Sequence, residues 1–141
     1  MNQIIEFVGN HSLLVLAFFA TLGMLLYSEY MRIATASSAL SPYAATALIN
    51  EGSAVLLDVR EEKEFKNGHV LNAKNFPINK LDERMHEIDK FKSRDLVVYC
   101  ESGMRSSRAI AKLKKNGFEN LHNLQGGLAA WEKANLPTVT K

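Results

Sequence analysis

The sequence contains a single cysteine, Cys100, among its 141 residues. One cysteine cannot form a disulfide within the chain, and its surroundings do not have the cysteine and histidine spacing of a zinc site. We therefore expect neither a metal nor another cofactor. A free thiol of this kind suits a reducing compartment.

The chain also lacks an excess of charge of either sign. Its 17 lysine and arginine residues are interspersed with 15 aspartate and glutamate residues, which leaves a net charge of +2. Nucleic-acid-binding domains usually carry basic patches or stripes. This balance predicts no nucleic-acid partner, and the length allows one ordinary domain with an additional segment.

Charged residues are absent from one long stretch near the N-terminus. From Leu13 to Tyr27 only Thr21 and Gly23 interrupt an apolar run. A helix over residues 13–31 would be roughly 28 Å long, close to the ~30 Å hydrocarbon core of a bilayer. We predict a single-pass membrane anchor there, within an N-terminal segment of residues 1–32.

A buried core helix and a cleaved signal peptide are the other interpretations of this segment. Signal peptides carry positive charge before their apolar part, whereas Glu6 is the only charged side chain before this one. Arg32 follows the run, and no lysine or arginine precedes it. The positive-inside rule therefore favours a C-terminal domain in the cytoplasm, anchored in a bacterial inner membrane.

The remaining residues alternate between short apolar runs and amphipathic stretches. Ser41 and Pro42 are typical of the N-cap and first position of a helix, which we predict to reach Asn50. We predict strands at residues 54–57, 73–76, 95–99 and 121–124, and helices at residues 61–66, 79–88, 106–116 and 128–134. This alternation indicates an α/β fold with a parallel sheet covered by helices on both faces.

The predicted domain covers residues 41–137. Residues 33–40, rich in alanine, serine and threonine, are predicted to form a short tether before it. Pro137 is predicted to end the ordered part, which leaves residues 138–141 as a tail.

Cys100 lies between a predicted strand and a predicted helix, at the edge of the sheet where ligands bind in open α/β folds. The loop between them consists of Cys100, Glu101, Ser102, Gly103, Met104 and Arg105. A loop of this length can curve so that its backbone N–H groups converge on an anion. The helix that follows directs its positive end at the same point.

This setting predicts a reactive thiol. The positive helix end and the loop amides should favour the thiolate over a free thiol, whose pKa is about 8.5, and the thiolate is the nucleophilic form. Gly103 can adopt a positive φ that the turn requires. The alternative interpretation is a buried, unreactive core cysteine.

The stretch Cys100-x-x-Gly103-x-Arg105-Ser106 resembles the active-site loop of the rhodanese-like sulfurtransferases. Two more segments match this family in the same order: residues 56–60 (Leu-Leu-Asp-Val-Arg) with 64–65 and 68–70, and residues 126–131 (Gly-Gly-Leu-Ala-Ala-Trp). The matched segments lie between about Pro42 and Pro137. The resemblance implies the rhodanese fold, a small α/β domain with about five central strands.

The resemblance also implies a reaction. Cys100 would attack the outer sulfur of a donor such as thiosulfate or a persulfide, carry that sulfur as a persulfide, and pass it to a thiol or protein acceptor. Glu101, Ser102, Gly103 and Met104 would form the rest of the substrate-binding loop. Because Glu101 is acidic where some family members have a basic residue, it should disfavour highly charged anionic donors.

The resemblance leaves two roles open for each of three further residues. Arg105 either holds the anion or braces the loop by pairing with an acidic residue. Asp58 and Arg60 match family positions near the loop, where they either contact substrate or form a structural ion pair.

His69 could be a general base, but we predict a structural hydrogen bond for it.

Two other functions remain open at this point. Some relatives of this fold are phosphatases or arsenate reductases, but their loops resemble Cys-x5-Arg, whereas Arg105 is the fifth residue after Cys100. The resulting smaller ring argues against a tetrahedral oxyanion. The second alternative is a membrane-tethered adaptor that binds a protein partner, for instance another membrane protein.

Overall fold

The computed structural model describes Met1, residues 7–36 and residues 39–141, and the chain divides into the units Met1–Ser37 and Ser38–Lys141. In the first unit, helix α1 spans Ser12–Ala36. Its portion Ser12–Arg32 has a mean hydropathy of 1.7 and is long and apolar enough to cross a membrane. Signal sequences and core helices of soluble proteins can share this length and composition.

Polar side chains within α1 are bonded to the helix itself. The Thr21 hydroxyl donates to the carbonyl oxygens of Ala17 and Phe18, and the Ser28 hydroxyl donates to that of Leu25. Such bonds satisfy hydroxyl groups where water is absent.

The second unit contains a parallel five-stranded sheet with the strand order β1-β6-β5-β2-β4 and an antiparallel pair, β3-β7. The strands are β1 (Ala39–Leu40), β2 (Ala54–Asp58), β3 (His69–Val70), β4 (Lys74–Asn75), β5 (Asp95–Tyr99), β6 (Leu121–Leu124) and β7 (Thr138–Val139). The helices are α2 (Pro42–Asn50), α3 (Glu62–Asn67), α4 (Met85–Ile88), α5 (Met104–Lys115) and α6 (Gly127–Lys133). Single 3-10 turns cover Ile78–Lys80 and Asp89–Phe91.

The central strand β5 is buried on both faces. Its side chains alternate between two hydrophobic clusters, with Leu96 and Val98 in one and Val97 and Tyr99 in the other. This double burial explains why the strand is a continuous apolar run rather than an alternating one. The α/β class, the parallel sheet and the five central strands agree with the sequence prediction.

The predicted helix over residues 79–88 is wrong. The chain there forms the 3-10 turn Ile78–Lys80 and then the single-turn helix α4. Leu81 and Ile88 are nevertheless fully buried, and Met85 packs against the same cluster. The helical spacing therefore identified buried positions, but not a continuous helix.

Three boundaries also differ from the prediction. Helix α5 begins at Met104 because Gly103, with φ 101°, completes the turn two residues earlier than expected. Pro137 does not end the ordered part, since Thr138 and Val139 pair with β3. Within the predicted tether of residues 33–40, α1 extends to Ala36 and residues 39–40 form β1, whereas residues 37 and 38 lie outside the described residues.

Candidate active site

Cys100 follows the last residue of β5 and is 1% exposed. The chain turns immediately after it, and the Gly103 amide donates a hydrogen bond of 3.0 Å to the Cys100 sulfur. The hydroxyl of Ser106, in the first turns of α5, lies 3.5 Å from the same sulfur. The sulfur therefore lies at the start of α5, among groups that can donate hydrogen bonds to it.

These groups favour the thiolate. Burial raises the pKa of the Cys100 thiol, but hydrogen bonds from the hydroxyl and amide of Ser106 lower it. The amides of Gly103 and Ser102 lower this pKa further. The balance leaves the pKa of the Cys100 thiol below its ordinary value, and a lowered thiol pKa favours the thiolate form.

The N-terminus of α6 holds the other side of the loop. The Leu128 amide donates to the Cys100 carbonyl at 2.8 Å, and the Ala129 amide donates to the Glu101 carbonyl at 3.2 Å. Because a trans peptide points its N–H away from its C=O, the amides of Glu101 and Ser102 are directed away from α6. Helix α6 thus orients two amides of the loop.

Gly127 makes this close approach possible. A Cβ atom there would lie 2.5 Å from the carbonyl oxygens of both Cys100 and Glu101, and the residue has a φ of +62°. Only glycine satisfies both the contact and the backbone conformation without strain.

A hydrogen-bond network of buried side chains lies behind Cys100. The Ser106 hydroxyl is 2.7 Å from the Asn123 carbonyl oxygen Oδ1 and 3.0 Å from the Gly103 carbonyl oxygen. The Asn123 amide Nδ2 donates to the Gly103 carbonyl and to the Ser107 hydroxyl at 3.2 and 2.9 Å. Asn123 on β6 therefore links the first turn of α5 to the hydroxyl group beside the sulfur.

Arg105 forms a bidentate ion pair with Glu64 on α3. Its Nη1 and Nη2 atoms lie 2.7 and 2.8 Å from the two carboxylate oxygens. The hydrogen bonds from Arg105 hold the pKa of Glu64 at about 2. This contact with an acidic residue is the one expected of a loop brace.

Arg60 lies in a buried network with Asp58. The guanidinium Nε and Nη2 atoms bond the Asp58 carboxylate, with the shortest contact at 2.9 Å. Nη2 also donates to the Gly68 carbonyl at 2.6 Å, and Nη1 donates to Glu101 at 3.2 Å. The pair thus connects the end of β2 to the loop through Glu101.

The structure also shows the contacts of His69 and the exposure of Met104 and Ser102. His69 Nδ1 lies 2.7 Å from the Phe65 carbonyl oxygen, and its ring stacks on that of Phe65 with centroids 3.7 Å apart, so the predicted structural role for His69 is confirmed. Met104 is 68% exposed at the first position of α5, and Ser102 is also exposed.

Within the part of the chain that the structure describes, there is no group of three or more His, Cys, Asp or Glu side chains arranged to hold a metal ion.

The sequence prediction did not assign a role to several residues that the fold brings to the loop. Ser106 and Gly127 stood within matched segments, and Glu64 stood in the short match at residues 64–65. Asn123 was missed altogether. The available signal was its amide side chain beside the apolar Leu124 in a short predicted strand, since buried polar groups require partners.

Comparisons with known proteins give a consistent result. The model of the Rhodanese-like domain family matches residues 41–134. The uncharacterized protein YibN of Escherichia coli K12 is 31% identical over 140 residues, which cover 99% of this chain and 98% of that protein. A protein named sulfurtransferase from Allochromatium vinosum is 40% identical over 85 residues, covering 60% of this chain and 78% of that protein.

Solved structures share the fold. The crystal structure of a rhodanese-related protein from Thermoplasma volcanium superposes with a TM-score of 0.66 at 27% identity. The superposition covers 73% of this chain and 98% of the other.

Proposed function

This chain belongs to the rhodanese-like domain family, and on that premise we propose that it is a sulfurtransferase that carries sulfane sulfur as a persulfide on Cys100. The observation that carries the proposal is the position of the Cys100 sulfur. It accepts a 3.0 Å hydrogen bond from the Gly103 amide at the beginning of α5, and its pKa is lowered by hydrogen bonds that outweigh the effect of burial. A nucleophile and an anion-stabilising cradle coincide there.

In the first half-reaction, the Cys100 thiolate attacks the outer sulfur of a donor, either thiosulfate or a persulfide. A sulfur–sulfur bond forms to Cys100 while the donor's own sulfur–sulfur bond breaks. The electron pair of the broken bond leaves with sulfite or with a thiolate. The amides of Ser102 and Gly103 and the Ser106 hydroxyl stabilise the negative charge on the cysteine sulfur before attack.

In the second half-reaction, an acceptor thiolate attacks the outer sulfur of the Cys100 persulfide. The bond between the two sulfur atoms breaks, and Cys100 returns to the thiolate form. The acceptor is a small thiol or a protein thiol. Arg105, paired with Glu64, serves to brace the loop, and the Asp58–Arg60 pair supports it from beneath.

We further propose that residues 13–31 anchor the protein in a bacterial inner membrane with the domain on the cytoplasmic side. The apolar portion of α1 and the intrahelical bonds of its hydroxyl groups support a membrane span. Arg32 at its C-terminal end supports the orientation. The anchor would hold the persulfide near acceptors at the membrane.

The test uses the full-length protein in detergent and its intact mass. After incubation with a sulfane donor, the wild-type protein is expected to gain the mass of one sulfur atom and to lose it when a thiol acceptor is added. Cys100→Ser should gain nothing, because the chain has no other cysteine. A folded wild-type protein that never acquires sulfur would overturn the proposal and favour the adaptor function.

A further inference from the structure

We propose that the physiological donor is an organic persulfide, R–S–SH, whose organic part carries little negative charge, and that dianionic thiosulfate is a poor donor. This inference rests on the proposed function and concerns its first half-reaction. It follows from the charges that surround the Cys100 loop and from how they are already paired.

The charged side chains linked to the loop form two connected sets. Asp58, Arg60 and Glu101 form one set, with Arg60 contacting both carboxylates. Glu64 and Arg105 form the other. Two guanidinium groups face three carboxylates in these sets, so together they carry a charge of −1. The Cys100 thiolate makes the reacting state more negative still.

Arg60 has little capacity to bind an incoming anion. Its side chain is 4% exposed, and its Nε and Nη2 atoms are bonded to Asp58 and to the Gly68 carbonyl. Its Nη1 atom is bonded to Glu101. A sulfonate group could reach this guanidinium only by displacing the carboxylate of Glu101.

Arg105 is likewise engaged. Both of its Nη atoms bond the two oxygens of Glu64 at 2.7 and 2.8 Å. An anion could bind both Nη atoms of Arg105 only by breaking this bidentate ion pair with Glu64, and bidentate arginine–carboxylate pairs are among the strongest hydrogen-bonded contacts. Arg108, one turn further along α5, is exposed to solvent, where ions screen its charge.

Glu101 adds a negative charge at the loop itself. Its side chain is 50% exposed and follows directly after the nucleophile. A donor with two negative charges therefore approaches a thiolate, a partly exposed carboxylate and cations that are already neutralised. An organic persulfide in its protonated form brings no such charge.

The proposed step is balanced with this donor. The Cys100 thiolate attacks the terminal sulfur of R–S–SH, the new bond is Cys–S–SH, and R–S⁻ leaves with the electron pair of the broken sulfur–sulfur bond. The proton on the terminal sulfur remains with the new persulfide until that group ionises. The loop amides then stabilise the persulfide anion.

The experiment compares donors that undergo the same reaction but differ in charge. Persulfides of cysteamine, 2-mercaptoethanol and mercaptoethanesulfonate present cationic, neutral and anionic organic parts, and thiosulfate is the fourth donor. Full-length protein in detergent is loaded with each, and kcat/KM for transfer to a common thiol acceptor is measured. We expect the cationic and neutral persulfides to exceed the anionic one by about tenfold, with thiosulfate lowest.

The variant Glu101→Gln identifies the residue responsible. Glutamine can still accept the hydrogen bond from Arg60, but it removes the charge, so the preference for the neutral persulfide over thiosulfate should shrink by about tenfold. Glu119→Gln is the matched control: it makes the same charge change on an exposed residue before β6, at the opposite edge of the sheet. The control should keep the wild-type preference.

The outcomes separate the two proposals. A thiosulfate kcat/KM equal to or above that of the neutral persulfide, or an unchanged preference in Glu101→Gln, would overturn the donor inference while sulfur transfer through Cys100 stands. Failure of every donor to place sulfur on Cys100 would overturn the proposed function and the donor inference with it.

Discussion

The backbone amide of Leu128 donates a 2.8 Å hydrogen bond to the carbonyl oxygen of Cys100. This contact joins the start of α6 to the residue that we propose as the nucleophile. By fixing the carbonyl, it also fixes the direction of the amide on the other side of the same peptide bond. The shape of the anion cradle therefore depends on backbone hydrogen bonds from α6.

The first prediction follows from this contact. We expect Gly127→Ala to lower sulfur transfer by at least about a hundredfold, because its Cβ would lie 2.5 Å from the Cys100 and Glu101 carbonyls and misplaced catalytic groups cost factors of this size. Gly52→Ala is the control, since Gly52 has a similar φ of +75° but open space around the added Cβ. Both variants bear a strain of ~1–2 kcal/mol.

Steady-state transfer and urea unfolding of the two variants distinguish the causes. Gly52→Ala should lose stability but keep its activity in the folded state. If folded Gly127→Ala transferred sulfur at the wild-type rate, α6 would not shape the cradle.

The second prediction concerns the single proton of the Ser106 hydroxyl. Three acceptors compete for it: Asn123 Oδ1 at 2.7 Å, the Gly103 carbonyl oxygen at 3.0 Å and the Cys100 sulfur at 3.5 Å. Ser106→Ala should raise the Cys100 pKa because the thiolate loses a donor. Asn123→Ala should lower this pKa because it removes the nearest acceptor, which leaves the proton shared between the Gly103 carbonyl and the sulfur. Each should change the alkylation rate below the pKa by about fivefold, in opposite directions, as expected for one hydrogen bond.

The double variant is the decisive control for this prediction. If Asn123 acts on the sulfur only through Ser106, Asn123→Ala should leave the pKa unchanged in a Ser106→Ala background. The pH profile of iodoacetamide alkylation gives this pKa directly. Equal shifts from Asn123→Ala in both backgrounds would show that Asn123 acts by general support of the loop instead.

The third prediction is a pH dependence of stability. Hydrogen bonds from Arg105 hold the pKa of Glu64 at about 2 in the folded state, below the ordinary value of 4.5. A lowered carboxyl pKa stabilises the fold fully above the unfolded value and loses this effect as the pH falls toward the folded value. Because both side chains are about one-third exposed, we expect a contribution of ~1 kcal/mol or less.

Urea midpoints of wild type and Glu64→Gln measure this contribution. The wild-type protein should be the more stable at pH 7, and the difference should close between pH 4.5 and pH 2. Glu62→Gln removes a neighbouring carboxylate whose contact with Lys80 is longer, at 3.6 Å. A Glu64→Gln difference that persists at the acidic end, or an equal effect from Glu62→Gln, would contradict the assignment.

Much of the fold could be predicted because its strands carry strong local signals. The run Asp95–Tyr99 is apolar enough to identify β5, and Ser41 with Pro42 identifies the start of α2. The chain between Ile78 and Ile88 was wrongly predicted because burial imposes a helical spacing even on two short turns. The pairing of Thr138–Val139 with β3 depends on a contact distant in sequence, which no local pattern reports.

The candidate site could be predicted where the chain is contiguous. The loop from Cys100 to Arg105 was predicted from its place between a strand and a helix and from its resemblance to a known active-site loop, and the turn at Gly103 was expected there. Its polar partners are distant along the chain: Glu64 lies 41 residues from Arg105, and Asn123 lies 20 residues from Gly103. Only the folded structure shows that these groups meet the loop. Glu64 is such a partner, and its contact with Arg105 supports the bracing role that we propose for this arginine.

The last prediction tests the proposed membrane topology. Cys100 is a poor reporter because it is only 1% exposed, so we place single reporter cysteines in a Cys100→Ser background. Glu119→Cys lies on the exposed surface of the domain, and Asn2→Cys precedes the apolar segment. If α1 spans the membrane with Arg32 inside, an impermeant maleimide should label Asn2→Cys in sealed cells. It should label Glu119→Cys only after permeabilisation.

Permeabilised cells supply the control. Both thiols must react with the maleimide there, because only then does a lack of labelling in sealed cells show that the membrane protects a thiol. The reverse pattern would invert the topology and place the Cys100 chemistry outside the cytoplasm, where a catalytic thiol faces oxidation. Release of the domain into the soluble fraction, with its new N-terminus soon after the apolar segment, would instead identify that segment as a signal peptide. The proposed anchoring requires two results together: the protein resists carbonate extraction, and in sealed cells the maleimide labels Asn2→Cys but not Glu119→Cys. A persulfide carrier held at the cytoplasmic face of the membrane must show both.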